Sequence, residues 1–82
     1  MLEPLRMVEV AWVDSFGTDG RWEYLDGLEP LEPVACVSVG FLLESENDYM
    51  NLGMSISHDQ VLGRLAIPRS SITSVRYLKQ EP

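Results

Sequence analysis

Tyr49 and Asn51 are the residues whose types and spacing best suit recognition chemistry. They stand one pleat apart in Tyr49-Met50-Asn51-Leu52, and strand alternation puts both on the face opposite Met50 and Leu52. A tyrosine ring can stack on a planar heterocycle while a neighbouring carboxamide pairs with that ring's edge. The plain alternative is that Tyr49 is a good strand former and Asn51 bonds the adjoining loop. A second group comprises Trp12, Asp14, Ser15, Trp22, Arg69 and Ser70. Two tryptophans in so small a chain belong to a core or an interface. Arg69 follows a strand-ending Pro and precedes two serines, so its guanidinium could meet a phosphate with hydroxyl help. Its other possible partners are Asp14 or an acid of a neighbouring subunit.

Catalysis finds little support. The one histidine, His58, sits in the turn tripeptide Ser57-His58-Asp59, whose adjacent side chains point in different directions. A nucleophilic triad needs a histidine held beside Ser or Cys by the fold and oriented by an acid. One His and one Cys supply no metal-ligand spacing, and Gly17-x-x-Gly20 lacks the lysine of a phosphate loop. The expectation is a protein that is not an enzyme, with no cofactor, no metal and no catalytic residues.

Five strands are expected to position these groups. Met7–Val13 carries Val8, Val10 and Trp12 on one face. Val34–Leu43 offers the alternating run Val37, Val39, Phe41 and Leu43, and Tyr49–Ile56 offers Met50, Leu52, Met54 and Ile56. Val61–Ile67 ends at Pro68, which cannot donate to a central ladder, and Ile72–Leu78 completes the set. Glu44 to Asp48 form the polar break of a hairpin. The first connection is long: turn chemistry from Asp14 to Gly20, then Trp22–Leu28, read as a single helical turn, then Pro30 and Pro33. Bends at Gly40 and Gly53 suit a small, partly open barrel.

Composition bounds the rest. The chain has 82 residues, 45% of them hydrophobic, and a net charge of −7. That length predicts one domain (residues 1–82) with a core small enough to make oligomerisation a natural support. The charge is unevenly placed: acids load the first part, whereas Val61 to Gln80 holds Arg64, Arg69, Arg76 and Lys79 and no acid. The overall sign argues against duplex DNA or long RNA, whose phosphates need a basic footprint. No apolar run approaches the ~20 residues of a membrane span, and the N-terminal MLEPLRMVEV reads as no signal peptide. The lone Cys36 in an apolar strand reads as a buried reduced thiol. The cytoplasm follows by default.

About half the chain resembles the Sm/LSm family. Gly40, Leu42, Asn47, Met50, Asn51 and Leu52 stand in the places of the first Sm motif, and Leu62, Gly63, Ile67, Pro68, Arg69 and Ile72 in those of the second. Pro68 replaces the base-stacking Arg, and Arg69 replaces a Gly. The resemblance implies a five-stranded Sm/SH3-like barrel, and it gives Tyr49 the base-stacking and Asn51 the base-reading position. A looser pattern, carried by Val8, Val10, Trp12, Asp14, Ser15, Gly20, Trp22, Ser38 to Leu42 and Ile67 to Ile72, is similar to small phage and prophage proteins. It implies a phage accessory protein acting in the host cytoplasm.

The sequence thus leads to an all-β fold: a five-stranded Sm/SH3-like small barrel with a lengthened connection, containing a helical turn, between strands 1 and 2. The expected function is homo-oligomeric binding of a nucleotide or small nucleic-acid-derived ligand, such as a host immune signal sequestered by a phage. Tyr49, Asn51, Arg69, Ser70, Trp22 and Asp14 are its expected contacts. The alternative is a protein-interaction module that presents a strand edge or the Trp22 loop to a host or virion protein.

Overall fold

In a computed structural model of the chain, residues 5–79 are described. Five strands form one open antiparallel sheet: β1 (Met7–Asp14), β2 (Val34–Ser45), β3 (Tyr49–Ile56), β4 (Val61–Pro68) and β5 (Ile72–Tyr77). Their order across the sheet is β4-β3-β2-β1-β5, so β4 and β5 are its edges. All five lie where alternation placed them, with β2 reaching Ser45 rather than Leu43. Pro68 ends the edge strand β4 opposite Tyr49, a position that asks no ladder hydrogen bond of it. A single 3-10 turn, Arg69–Ser71, links β4 to β5.

The core is Val8 and Val10 from β1, Met50 and Leu52 from β3, and Ile67 from β4. Trp12, Leu42, Ile72 and Val75 pack against it. Trp12 is therefore a core residue, and its indole N–H donates to Ser38 Oγ at 3.0 Å. That bond satisfies the ring's polar atom inside a largely apolar setting.

The buried face of β2 is the opposite of the one its valines suggest. Val37 and Val39 are 66% and 54% exposed, whereas Ser38 and Gly40 lie across from the buried Val10 and Val8. Space decides the register. A Cβ on Gly40 would sit 2.8 Å from the Gly53 carbonyl oxygen and 3.3 Å from Leu52 Cβ. A one-residue slip would bring a valine to that close approach and turn the indole's acceptor away. A register shift between Leu42 and Glu44 then bends β2 over β3. Met54, expected in the core, is instead 64% exposed, because the buried row of β3 ends at Leu52.

The connection between β1 and β2 contains no helix. Trp22–Leu28 makes only a turn at Asp26–Gly27, with Gly27 at φ +95°, in place of the expected helical turn. Every residue from Val13 to Ala35 is exposed, so no apolar face of this segment meets the sheet to stabilise a helix. It forms an arm that continues the β1–β2 ribbon beyond the Asp14–Val34 pair. The radius of gyration is 17.1 Å, against about 12 Å for a compact chain of this length. No helix of the described residues is long and apolar enough to cross a membrane.

Candidate functional site

Alternation along β3 delivers Tyr49 and Asn51 to the outer face of the sheet, both half-buried, as the sequence predicts. Their neighbours come from the β2–β3 hairpin, closed by the Glu46 N–H donating to the Tyr49 carbonyl at 2.9 Å. Asn51 Nδ2 donates to Glu44 Oε1 at 3.0 Å across the strand pair. Asn51 Oδ1 is buried and has no hydrogen-bond partner among the described residues. Leaving such an acceptor unpaired typically costs about 1–3 kcal/mol.

The electrostatics are acidic. Glu44 foremost, then burial, then Glu46 and Asp48 hold the Tyr49 hydroxyl above its ordinary pKa. Tyr49 is thus a neutral phenol among carboxylates, a setting that repels phosphate and accepts neutral or cationic rings.

Arg69, the expected phosphate contact, is engaged by groups of its own chain. Its Nε donates to the Glu46 carbonyl at 2.8 Å and its Nη2 to Ser45 Oγ at 2.6 Å, while its backbone N–H donates to the Asp48 carbonyl at 2.9 Å. The guanidinium fastens the β2–β3 turn to the start of the 3-10 turn. Among the described residues its partner is neither Asp14 nor any other acid. Ser70 is exposed beside it.

The remaining expected contacts are scattered. Asp14 Oδ1 accepts from the Ser15 N–H at 2.9 Å at the root of the arm. Trp22 stands on the arm at 102% exposure, so it touches none of the other candidates. Of the six residues, Tyr49 and Asn51 share a surface, Arg69 braces its rim with Ser70 next in the chain, Asp14 ends β1 at the root of the arm, and Trp22 stands on the arm.

Sequence reasoning passed over most of the arm's apolar character. Tyr24 and Leu25 are about as bare as Trp22, at 90% and 89%, and Phe16, Leu28 and Leu31 are also exposed. The available signal was a long connection, without a strand pattern, that still carried six large apolar residues. Connections longer than about 12–15 residues without secondary structure are usually functional or disordered.

Other reactive groups remain separate. His58 is exposed in the β3–β4 turn, which the Ser57 N–H closes by donating to the Gln60 carbonyl at 2.9 Å. Cys36 is a free thiol, half-buried on β2. Among the described residues, no group of three His, Cys, Asp or Glu side chains is placed to hold a metal ion. Comparison with models of known protein families, with curated proteins and with solved structures finds no match to this chain.

Proposed function

We propose that this chain is a non-enzymatic protein-interaction module on a small Sm/SH3-like barrel, with the arm between β1 and β2 as its recognition element. The exposure of Trp22, Tyr24 and Leu25 carries this reading. Aromatic anchors dominate binding energy at protein interfaces, and surface of this kind gains most from being covered. The arm also bears Asp19, Glu23, Asp26, Glu29 and Glu32, which keep it hydrated when free and select a basic partner surface. Benzoylphenylalanine in place of Trp22, photo-activated in cells, tests the reading. Discrete adducts at Trp22, absent from a control placed at Asp59, are expected; no adduct overturns it.

A second reading is favoured by the unpartnered Asn51 Oδ1, on the same face of β3 as Tyr49. In this reading the surface takes a planar, nucleobase-like ligand whose edge donates to Asn51 once Glu44 turns aside. The surrounding carboxylates favour neutral or cationic rings over phosphate-rich nucleotides. Calorimetric titration with nucleobases, nucleosides and cyclic dinucleotides tests it. Tyr49→Ala should cost about 1–3 kcal/mol of affinity, and equal binding by wild type and variant rejects it.

A further inference from the structure

Away from Tyr49 and Asn51, one of the sheet's depressions has walls that match the arm. It lies between β2, β3 and β4, is open to solvent with a volume of about 320 Å3, and is lined in part by Ser38, Val39, Leu52, Met54, Arg64 and Leu65. Of its lining residues, Val39, Met54 and Leu65 are exposed. Its volume sits at the small end of the roughly 300–1,000 Å3 range of ligand pockets, which suits a single large side chain.

Charge matches as well as shape. Of the four cations between Val61 and Lys79, Arg76 is paired to Glu9 at 2.8 Å and Arg69 is bound to Ser45 and Glu46. Arg64, on the cavity wall, makes no side-chain hydrogen bond or ion pair among the described residues. The arm is the reverse. Its one cation, Arg21, pairs with Asp19 at 3.1 Å, and Glu23, Asp26, Glu29 and Glu32 form no ion pair among the described residues. Glu23 lies between Trp22 and Tyr24, so a seated ring brings a carboxylate to the rim where Arg64 waits.

An arm that folded back on its own sheet would lose exposure, yet Trp22 is fully exposed and the arm continues outward from the β1–β2 ribbon. Area favours a second copy. A fully buried aromatic removes roughly 150–250 Å2, so two tryptophans and two tyrosines, if fully covered by an equal area of the facing copy, would remove about 1,200–2,000 Å2. That is the size of a stable, specific interface.

We infer that two copies of this chain exchange arms: Trp22 of each seats in the β2–β3–β4 depression of the other and Tyr24 lies over its rim, with Glu23 meeting Arg64 across a two-fold axis. This deepens the reading of the arm as a recognition element and names its partner. The exchange differs from strand-edge pairing, because it leaves the ladders of β4 and β5 free.

Sedimentation equilibrium of the full chain from about 1 to 200 µM covers the affinity range of a weak to moderate dimer. Wild type should sediment as a dimer at the upper end. Two sets of surface substitutions, Trp22→Ala with Tyr24→Ala and Arg64→Glu with Met54→Asp, should each lower the association constant by about tenfold or more. Mixing the two variants should recover association in part, since one intact arm then meets one intact cavity. Glu23→Arg should restore association to Arg64→Glu. Circular dichroism identical to wild type separates these effects from unfolding. A monomer throughout the range, or a dimer indifferent to both sets, overturns the exchange. A monomer that still gives Trp22 adducts with another protein overturns the exchange while upholding the interaction reading. Absence of both dimer and adduct overturns both.

Discussion

Arg69 reaches back across the sheet to Ser45, its Nη2 donating to the serine Oγ at 2.6 Å while its Nε holds the Glu46 carbonyl. One guanidinium thereby ties the β2–β3 turn to the β4–β5 junction, residues 24 apart in sequence. Its role is to fix the rim of the Tyr49 surface. Arg69→Ala should cost about 1–3 kcal/mol of stability, the scale of hydrogen bonds from a charged donor. Urea unfolding checks this. A change near zero would mean that the turn holds itself.

The contact between Gly40 and Gly53 makes a sharper prediction. A Cβ on Gly40 would lie 2.8 Å from backbone, the Gly53 carbonyl oxygen. Gly40→Ala should therefore destabilise by about 1–3 kcal/mol, the usual cost of overpacking. On Gly53 the added atom would meet side chains, Val61 Cγ2 at 2.7 Å and Leu43 Cδ1 at 3.1 Å. Val61 is exposed and can turn aside, so Gly53→Ala should cost less. Each kcal/mol should appear as about 4–8 °C in Tm for a domain of this size.

Much of this fold is legible in the sequence, because five strands follow from alternation and from Pro68. The facing of β2 is not. Val37 and Val39 alternate as convincingly as any buried row, and only the close approach at Gly40 and the Trp12–Ser38 bond reverse them. Local hydrophobicity gives a period; neighbouring strands choose the face. The site divides in the same way. The outward placement of Tyr49 and Asn51 follows from parity, whereas the use of Arg69 depends on a tertiary contact that spacing does not encode. The helical turn expected at Trp22–Leu28 fails because nothing packs on it.

The acidic surroundings of Tyr49 can be titrated. Its folded-state pKa is raised, by Glu44 first, so the folded state holds the phenol proton more tightly than the unfolded chain. Stability from this source is complete below the ordinary phenol value near 10 and is lost as pH rises through the raised value. The phenolate absorbance difference between wild type and Tyr49→Phe should appear above that ordinary value. Glu44→Gln should move it down. An unchanged titration in Glu44→Gln would remove Glu44 as the main cause.

Glu9 and Arg76 face each other across β1 and β5, 2.8 Å apart and partly exposed. Because Arg76 is paired within the chain, Arg76→Glu should act on stability and leave association intact. A double-mutant cycle with Glu9→Gln and Arg76→Gln should give about 0.2–1 kcal/mol of coupling, smaller in high salt. Loss of the dimer in Arg76→Glu, with folding intact, would move the interface to the β5 edge.

The central claim is that the arm's aromatic rings are covered by the cavity of another copy, and intermolecular nuclear Overhauser effects read that contact directly. In a mixture of chains labelled with 13C at methionine methyls and unlabelled chains, isotope filtering isolates signals between copies. The account predicts cross-peaks from the Met54 methyl to the indole protons of Trp22, fading as the sample is diluted. Filtered spectra without those cross-peaks, and with Trp22 resonances that do not move on dilution, would contradict it.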